Sequence, residues 1–338
     1  MVKIGIIGCG GMGNMHSQAC LATPQAELTA LADEFTEKAQ ELAQKTGCGW
    51  SGTPDELLQR DDVESVMICT PTPTHHPLAM KALTAGKHVF LEKPLARYLV
   101  FADELVKEAE RTNRFNQVGH VLRFWPEYTV LKEAVSGNRW GNLINLKMHR
   151  VCAQPGWSTT NWYIDPAQSG GAALDLHLHD TDMVHYLLGI PKAVFSEGVN
   201  DRTGWRQITT QYLFDGGPAV YAEGTWYDAE KYGFCMSYVA AFENGVLDYN
   251  SSRKPSLLFY PLKGEIVEPA LPETPQSEKV EGINISDLGG YLLQDRYFIE
   301  CIDKNVAPDR ATFAHGRDAL KTVEAEIRSA ETRKIVEV

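Results

Sequence analysis

Residues 3–13 read Lys-Ile-Gly-Ile-Ile-Gly-Cys-Gly-Gly-Met-Gly. The apolar run Ile4, Ile6, Ile7 opens directly into Gly8, Gly10 and Gly13, spaced G-x-G-x-x-G, and the stretch from Asn14 to Thr23 holds neither glycine nor proline. A strand, a tight turn and a helix N-terminus in that order form an anion cradle. Gly8 allows the turn, Gly10 lets the backbone approach a diphosphate, and Gly13 lets helix and strand pack closely; Gly11 and Met12 complete the cradle. A second apolar strand, Leu28 to Ala32, ends in Asp33, twenty-five positions after Gly8. A carboxylate there accepts both hydroxyls of an adenosine ribose. The stretch therefore reads as a dinucleotide site, against the plainer alternative of a glycine-rich turn that binds nothing.

A length of 338 residues predicts two domains, and 43% apolar residues suffice for a core in each. The expected division is 1–121 and 122–338. A net charge of −12 argues against a nucleic-acid binder, which needs a basic face. The seven cysteines are scattered and never spaced C-x-x-C, a pattern that suits reduced thiols in a cytoplasm. The N-terminal apolar run is too short and glycine-rich for a signal peptide and serves better as the first strand. No stretch approaches the roughly 20 apolar residues of a membrane helix.

The first third alternates strand and helix. Thr53-Pro54 starts a helix through Glu56 to Arg60; Val66 to Cys69 is a compact apolar strand; Pro77 opens the next helix. His88 to Leu91, Leu99 to Ala109 and Phe115 to Gly119 continue as strand, helix, strand. That rhythm predicts a doubly wound parallel sheet with the cofactor across the carboxyl ends of its strands. Beyond Val121 the period changes to two: Ile144, Leu146 and Met148 form one face, and Ile208, Thr210, Tyr212 and Phe214 another. Asp215-Gly216-Gly217 and Asn244-Gly245 mark hairpins. The second domain is expected to be α+β, with a large, mostly antiparallel open sheet and helices over Leu292–Ile302 and Arg317–Ala330. Such a sheet needs a cover, for which a second subunit is a candidate.

Two further segments carry chemistry. Gly86-Lys87-His88-Val89-Phe90-Leu91 delivers Glu92 and Lys93 to a strand's carboxyl end just before Pro94. A solvated charge pair is the plain alternative. After Gly170-Gly171, the residues Leu174, Leu178, Thr181, Val184 and Leu188 make a helical stripe, with Asp175, His179 and Asp182 on the neighbouring face. A carboxylate beside an imidazole raises its basicity and orients it, as a general base requires. Metal ligation by Asp175, His177, His179 and His185 is disfavoured, because on a helix His177 points away from Asp175 and His179 and the four cannot converge on one ion. His177 and His185 are expected to be packed or capping residues.

The chain resembles the Gfo/Idh/MocA family, the glucose–fructose oxidoreductase and inositol dehydrogenase group of nicotinamide-dependent oxidoreductases. The resemblance runs almost end to end through Gly8–Gly13, Cys69-Thr70-Pro71-Thr72 with His75, Glu92-Lys93-Pro94, Gly119 to Phe124, and Gly170-Gly171 followed by Asp175 and His179. It implies an N-terminal Rossmann domain. It implies also that the loop of Thr70, Pro71, Thr72 and His75 touches the cofactor with Glu92 and Lys93, and that Lys93, Asp175 and His179 meet the substrate. This chain departs from the family at His177, where many members have glycine.

The expected reaction is hydride transfer between NAD and a secondary alcohol of an inositol, polyol or cyclic sugar. His179, held by Asp175, is the preferred base; Lys93 steadies the reacting oxygen, and the two roles are interchangeable. Asp33 repels a 2′-phosphate, and Glu34 and Phe35 offer no arginine to accept one, so NAD is expected over NADP, with Lys38 near enough to complicate the choice. His120 and Arg123 are candidate substrate contacts, as are Trp162 and Tyr163, each set against a structural role. A redox-neutral, NAD-assisted glycosidase and a non-catalytic nucleotide sensor are the rival functions. Neither nucleic acid nor membrane is an expected partner; a homo-oligomer, dimer or tetramer, is.

Overall fold

The computed structural model describes residues 1–156, 162–273 and 288–338. The proline-rich stretch from Pro261 to Pro275, which the sequence suggests is a surface loop, thus ends outside the described residues. The chain divides into two compact units, one of residues 1–125 with the later stretch ending at Arg317, the other of 126–273 with 318–338.

The first unit alternates β1 (Val2–Ile7), α1 (Gly11–Leu21), β2 (Ala26–Ala32), α2 (Thr36–Thr46), β3 (Gly49–Trp50), α3 (Pro54–Leu58), β4 (Ser65–Ile68), α4 (His75–Thr84), β5 (His88–Leu91), α5 (Leu99–Thr112) and β6 (Asn116–Val118). All six strands are parallel, in the order β3-β2-β1-β4-β5-β6. The order reverses between β1 and β4, and a crevice for a ligand opens at the carboxyl ends of strands at such a point. Every residue of β4 is buried, as helices on both faces demand. Thr53 caps α3 by accepting the Glu56 amide at 3.2 Å, with Pro54 in the first helical position as the sequence predicts. Helix α4 starts at His75, two residues ahead of the proline expected to open it, because Pro77 still lies in the first turn, where its missing N–H costs nothing.

Helix α9 (Gly289–Asp303) also belongs to this unit. The sequence placed everything after residue 121 in one domain; α9 instead packs on α1, with Met15 and Ala19 against Leu288 and Leu292. On its other side Cys20 of α1 joins the core of Ile4, Ile6, Leu31, Met67 and Phe90. Covered from two sides, α1 has no single apolar stripe, so its sequence does not announce what packs on it.

The second unit holds α6 (Pro126–Ser136), β7 (Leu143–Ala153), α7 (Pro166–Ser169), a π-turn (Ala173–His177), α8 (Leu178–Leu188), β8 (Ala193–Asp201), β9 (Gly204–Leu213), β10 (Ala219–Tyr227), β11 (Cys235–Phe242), β12 (Gly245–Asn250) and β13 (Leu257–Pro261). From Asp318 onward it includes α10 (Phe313–Thr332), and it ends with β14 (Val336–Glu337). The eight strands run β13-β12-β11-β7-β10-β9-β8-β14, antiparallel except for β7 beside β10. Both hairpin signals are realised. In β9 the expected alternation holds for Ile208, Thr210 and Tyr212, which are buried, while Phe214, expected on the same face, lies past the end of the strand and is half-buried.

In β7 the alternation breaks at one end. Leu146 and Met148 are buried, but Ile144, expected on the same face, is 55% exposed. Phe242 pairs with Leu143 and Ala241 with Asn145, so Ile144 is the extra residue of a β-bulge and turns outward. The buried face continues through Arg150, a charge in a core position. Its guanidinium grips Asp180 through two bonds of 2.9 and 3.0 Å and reaches the Tyr128 hydroxyl at 3.2 Å. Burial opposes the guanidinium charge, but Asp180 outweighs it and raises the pKa.

Candidate active site

The glycine turn sits where β1 meets α1. Gly8 has φ +97, and a Cβ there would lie 2.6 Å from the Cys69 carbonyl oxygen at the end of β4. A Cβ on Gly13 would overlap the Gly8 carbonyl oxygen, so helix and turn touch backbone to backbone. Gly10 differs: a Cβ there would meet nothing within 4 Å. Its surface is left open, as approach by a ligand requires. Gly10 is also the N-cap of α1, with no side-chain cap and no acidic residue in the first turn. The amides of Gly11, Met12 and Gly13 have no partners within the helix, and together they suit an anion.

Asp33 lies at the end of β2. Its Oδ2 accepts the Cys9 amide at 2.7 Å and its Oδ1 the Phe35 amide at 2.9 Å. The carboxylate is thereby fixed beside the turn with lone pairs to spare for hydroxyls. Burial, assisted by Asp33, pushes the Cys9 thiol up to about 12, so the turn carries no reactive sulfur. Lys38 rests its ammonium over the Phe35 ring, 4.8 Å from the centroid. The residues thus fit a dinucleotide.

After β4, Pro71 is exposed, Thr70 is half-buried and Thr72 is buried. The Thr74 hydroxyl lies 2.7 Å from both the Thr70 hydroxyl and the Pro71 carbonyl. His75 is buried, with Nδ1 2.7 Å from the Pro94 carbonyl and Nε2 2.8 Å from the Thr70 carbonyl. Burial pushes its pKa down, and the ring staples the Thr70 loop to the Glu92-Lys93-Pro94 segment.

Glu92 is not the solvated partner that the plain reading offered. It is 6% exposed, and its carboxylate presses on Gly119, where a Cβ would lie 2.8 Å from Oε1. Oε2 accepts the Lys93 amide at 3.1 Å, and Oε1 lies 2.9 Å from Nε2 of His16. The other His16 nitrogen is 2.8 Å from Asp295 on α9. Burial favours the neutral ring, but Asp295 and Glu92 outweigh it and raise the His16 pKa to about 10. Burial pushes Glu92 the other way, yet bonding to His16 holds its pKa below the usual value; Asp295 is pushed up by burial. Sequence reasoning missed His16 and Asp295. His16 stands three residues past Gly13 as one polar residue on a helix, and Asp295 lies 279 positions from it.

In the second unit, the run after Gly171 is not the uniform α-helix that its spacing predicts. Residues Ala173–His177 form a π-turn, which inserts an extra residue before α8. The turn is pressed onto the sheet: a Cβ on Gly224 of β10 would lie 2.7 Å from the His177 Cβ. Asp175 and His179 are half-buried, while His177, Asp180 and Asp182 are buried. His177 is a packed residue. Its Nε2 lies 3.1 Å from Thr210 Oγ1, 3.1 Å from Glu326 and 3.3 Å from the Tyr212 hydroxyl. His185 meets the Thr322 hydroxyl at 3.1 Å. Among the described residues, no three His, Cys, Asp or Glu side chains form a metal-binding group.

The remaining candidates divide. Arg123 is buried and donates to the Arg310 carbonyl, a structural engagement, and His120 is buried beside it in the chain. Trp162 and Tyr163 are half-buried and stacked with centroids 4.0 Å apart, and Tyr163 packs on the cluster of Cys152, Ala172, Leu176 and Trp226.

The profile of an oxidoreductase family with an NAD-binding Rossmann fold matches residues 2–120, and that of the GFO/IDH/MocA C-terminal domain matches 128–247. The chain belongs to the Gfo/Idh/MocA family. Its first unit is accordingly an NAD-binding Rossmann domain. Among relatives, a myo-inositol 2-dehydrogenase of Thermotoga maritima is 32% identical over 200 residues, 58% of each chain. A scyllo-inositol 2-dehydrogenase (NAD(+)) of Bacillus subtilis is 31% identical over 194 residues, 56% of this chain and 54% of its own. An oxidoreductase of Formosa agariphila is 30% identical over 67% of this chain and 72% of its own. The chain spans little more than half the length of the inositol dehydrogenases it matches. Among solved structures, levoglucosan dehydrogenase in complex with NADH and levoglucosan superposes with a TM-score of 0.87 at 22% identity, covering 100% of this chain and 99% of that one. Family membership and the fold thus agree with the geometry of the glycine turn.

Proposed function

We propose that this family member is an NAD-dependent oxidoreductase acting on a secondary alcohol of an inositol, polyol or cyclic sugar. The observation that carries the reading is the open face of Gly10 beside the fixed Asp33 carboxylate, in a chain whose relatives include inositol 2-dehydrogenases. The dinucleotide, when bound, supplies the hydride acceptor. The chain's own residues bind it, through the first-turn amides of α1 and through Asp33, and manage the proton. His179, with Asp175 one turn before it, takes the hydroxyl proton, and Lys93 donates a hydrogen bond to the oxygen as charge develops there. The half-buried state of Asp175 and His179, between buried neighbours, supports their assignment. His120, Trp162 and Tyr163 are secondary candidates for substrate contact.

The Asp33 carboxylate supports NAD over NADP, since it would repel a 2′-phosphate. The seven free cysteines suit a reducing cytoplasm. Among the described residues, no helix is long and apolar enough to cross a membrane. The outer face of the eight-stranded sheet mixes Val239 and Tyr221 with Lys147, cross-strand neighbours on β11, β10 and β7, and it is the surface through which the protein would form a homo-oligomer. A panel of inositols, aldoses and ketoses with NAD or NADH, followed by absorbance of the reduced nicotinamide, tests the function. Turnover of at least one cyclic polyol with NAD is expected; silence across the panel, or release of free sugar from glycosides without NADH, refutes it. Sedimentation velocity checks the assembly.

A further inference from the structure

The arrangement around His16 has no counterpart in the roles assigned above. A histidine that is fully buried on α1 bridges two carboxylates from distant parts of the chain, Asp295 on α9 and Glu92 at the end of β5. Both ring nitrogens lie within hydrogen-bond distance of a carboxylate oxygen, and the two carboxylates together raise the ring's pKa against the effect of burial. Glu92 in turn holds the Lys93 amide and is wedged against Gly119. His16 is three residues past Gly13, on the helix whose first turn forms the anion cradle. One side chain therefore joins the cradle to the strand end that carries Lys93.

We propose that His16 is a positioning residue of the cofactor site, holding the Lys93 segment in register with the glycine turn through Glu92, with Asp295 as its fixed anchor. The proposal rests on the reading given under Proposed function, in which Lys93 at the end of β5 serves the reacting, nicotinamide end of the cofactor. The groups facing the triad are the Phe90 and Tyr291 rings around His16, the Cys20 and Cys69 thiols near the carboxylates, and His75 and Lys93 beside Glu92. Burial pushes both thiols well up, so they remain neutral, and His16 is the bridge between the two carboxyl groups.

The test separates the two ends of the cofactor without needing a substrate. NADH and ADP-ribose, which lacks the nicotinamide, are titrated against the wild type and H16Q, with folding checked by circular dichroism. For H16Q, NADH is expected to weaken by about tenfold while ADP-ribose changes by less than about twofold. D295N, which keeps the histidine and removes its anchor's charge, serves if H16Q does not fold, and should show the same split at smaller size. Equal weakening of both ligands, or of neither, in a folded variant overturns the proposal. It leaves the NAD-dependent reading standing, because that reading is tested by wild-type binding and turnover.

Discussion

The glycine turn and the π-turn present chemistry in opposite ways. The glycine turn works by what it lacks. Gly8 and Gly13 are filled to the limit by neighbouring backbone, Gly10 faces open space, and the first-turn amides of α1 are left without partners in the helix. The π-turn works through side chains. Asp175 and His179 stay half-buried while His177 is spent on Thr210, Tyr212 and Glu326 beneath them. Backbone recognition tolerates almost no added atom, whereas side-chain recognition tolerates atoms but needs an anchored scaffold. The glycine turn's scaffold, α1, is anchored in its own way by His16 between two carboxylates.

The comparison is broken most severely at Gly13. A valine there must displace the Gly8 carbonyl, so G13V should lose NADH binding by more than about a hundredfold or fail to fold, as read by fluorescence titration and circular dichroism. Next come the side chains. Lys93→Met and His179→Ala should each lower turnover by roughly a hundredfold while NADH affinity changes little. Near-normal kcat in either variant removes that residue from the mechanism. A milder change sharpens the contrast within the glycine turn itself. G10A adds a methyl to open space, so Tm should hold, but the NADH dissociation constant should rise about tenfold because the methyl meets the ligand.

The smallest effect is electrostatic. The folded pKa of His16, about 10, lies above its ordinary value of 6.5. Between those values the native state holds a proton that the unfolded chain releases, so the contribution is complete below pH 6.5 and fades as the pH climbs through 10. Urea unfolding from pH 7 to 9 should show wild-type stability falling by up to roughly 1.4 kcal/mol per pH unit, a slope missing from H16Q. Parallel curves for the two proteins would show that His16 is not charged in the native state.

Much of this was legible in advance. The buried runs of β4 and β5, the Thr53-Pro54 start of α3 and the Asn244-Gly245 hairpin follow from rules that act over a few residues, and the glycine turn is of the same kind. The errors have longer-range causes. Ile144 was misplaced because its exposure depends on a bulge in the register with β11, a property of two strands. The π-turn escaped because an inserted helical residue leaves the side-chain types unchanged, and only the contact with Gly224 reveals how the turn is seated.

The amino-acid order alone determined the parallel sheet and the dinucleotide turn, and it singled out the candidates for proton transfer, because spacing and side-chain type act locally. Tertiary structure decided that Glu92 is buried rather than solvated, that His177 packs beneath the π-turn, and that α9 returns to the first unit to bring Asp295 against His16. A charge survives in a protein interior only where partners surround it in three dimensions. Here those partners lie 76 and 279 positions from His16, beyond any periodicity that a linear sequence can display.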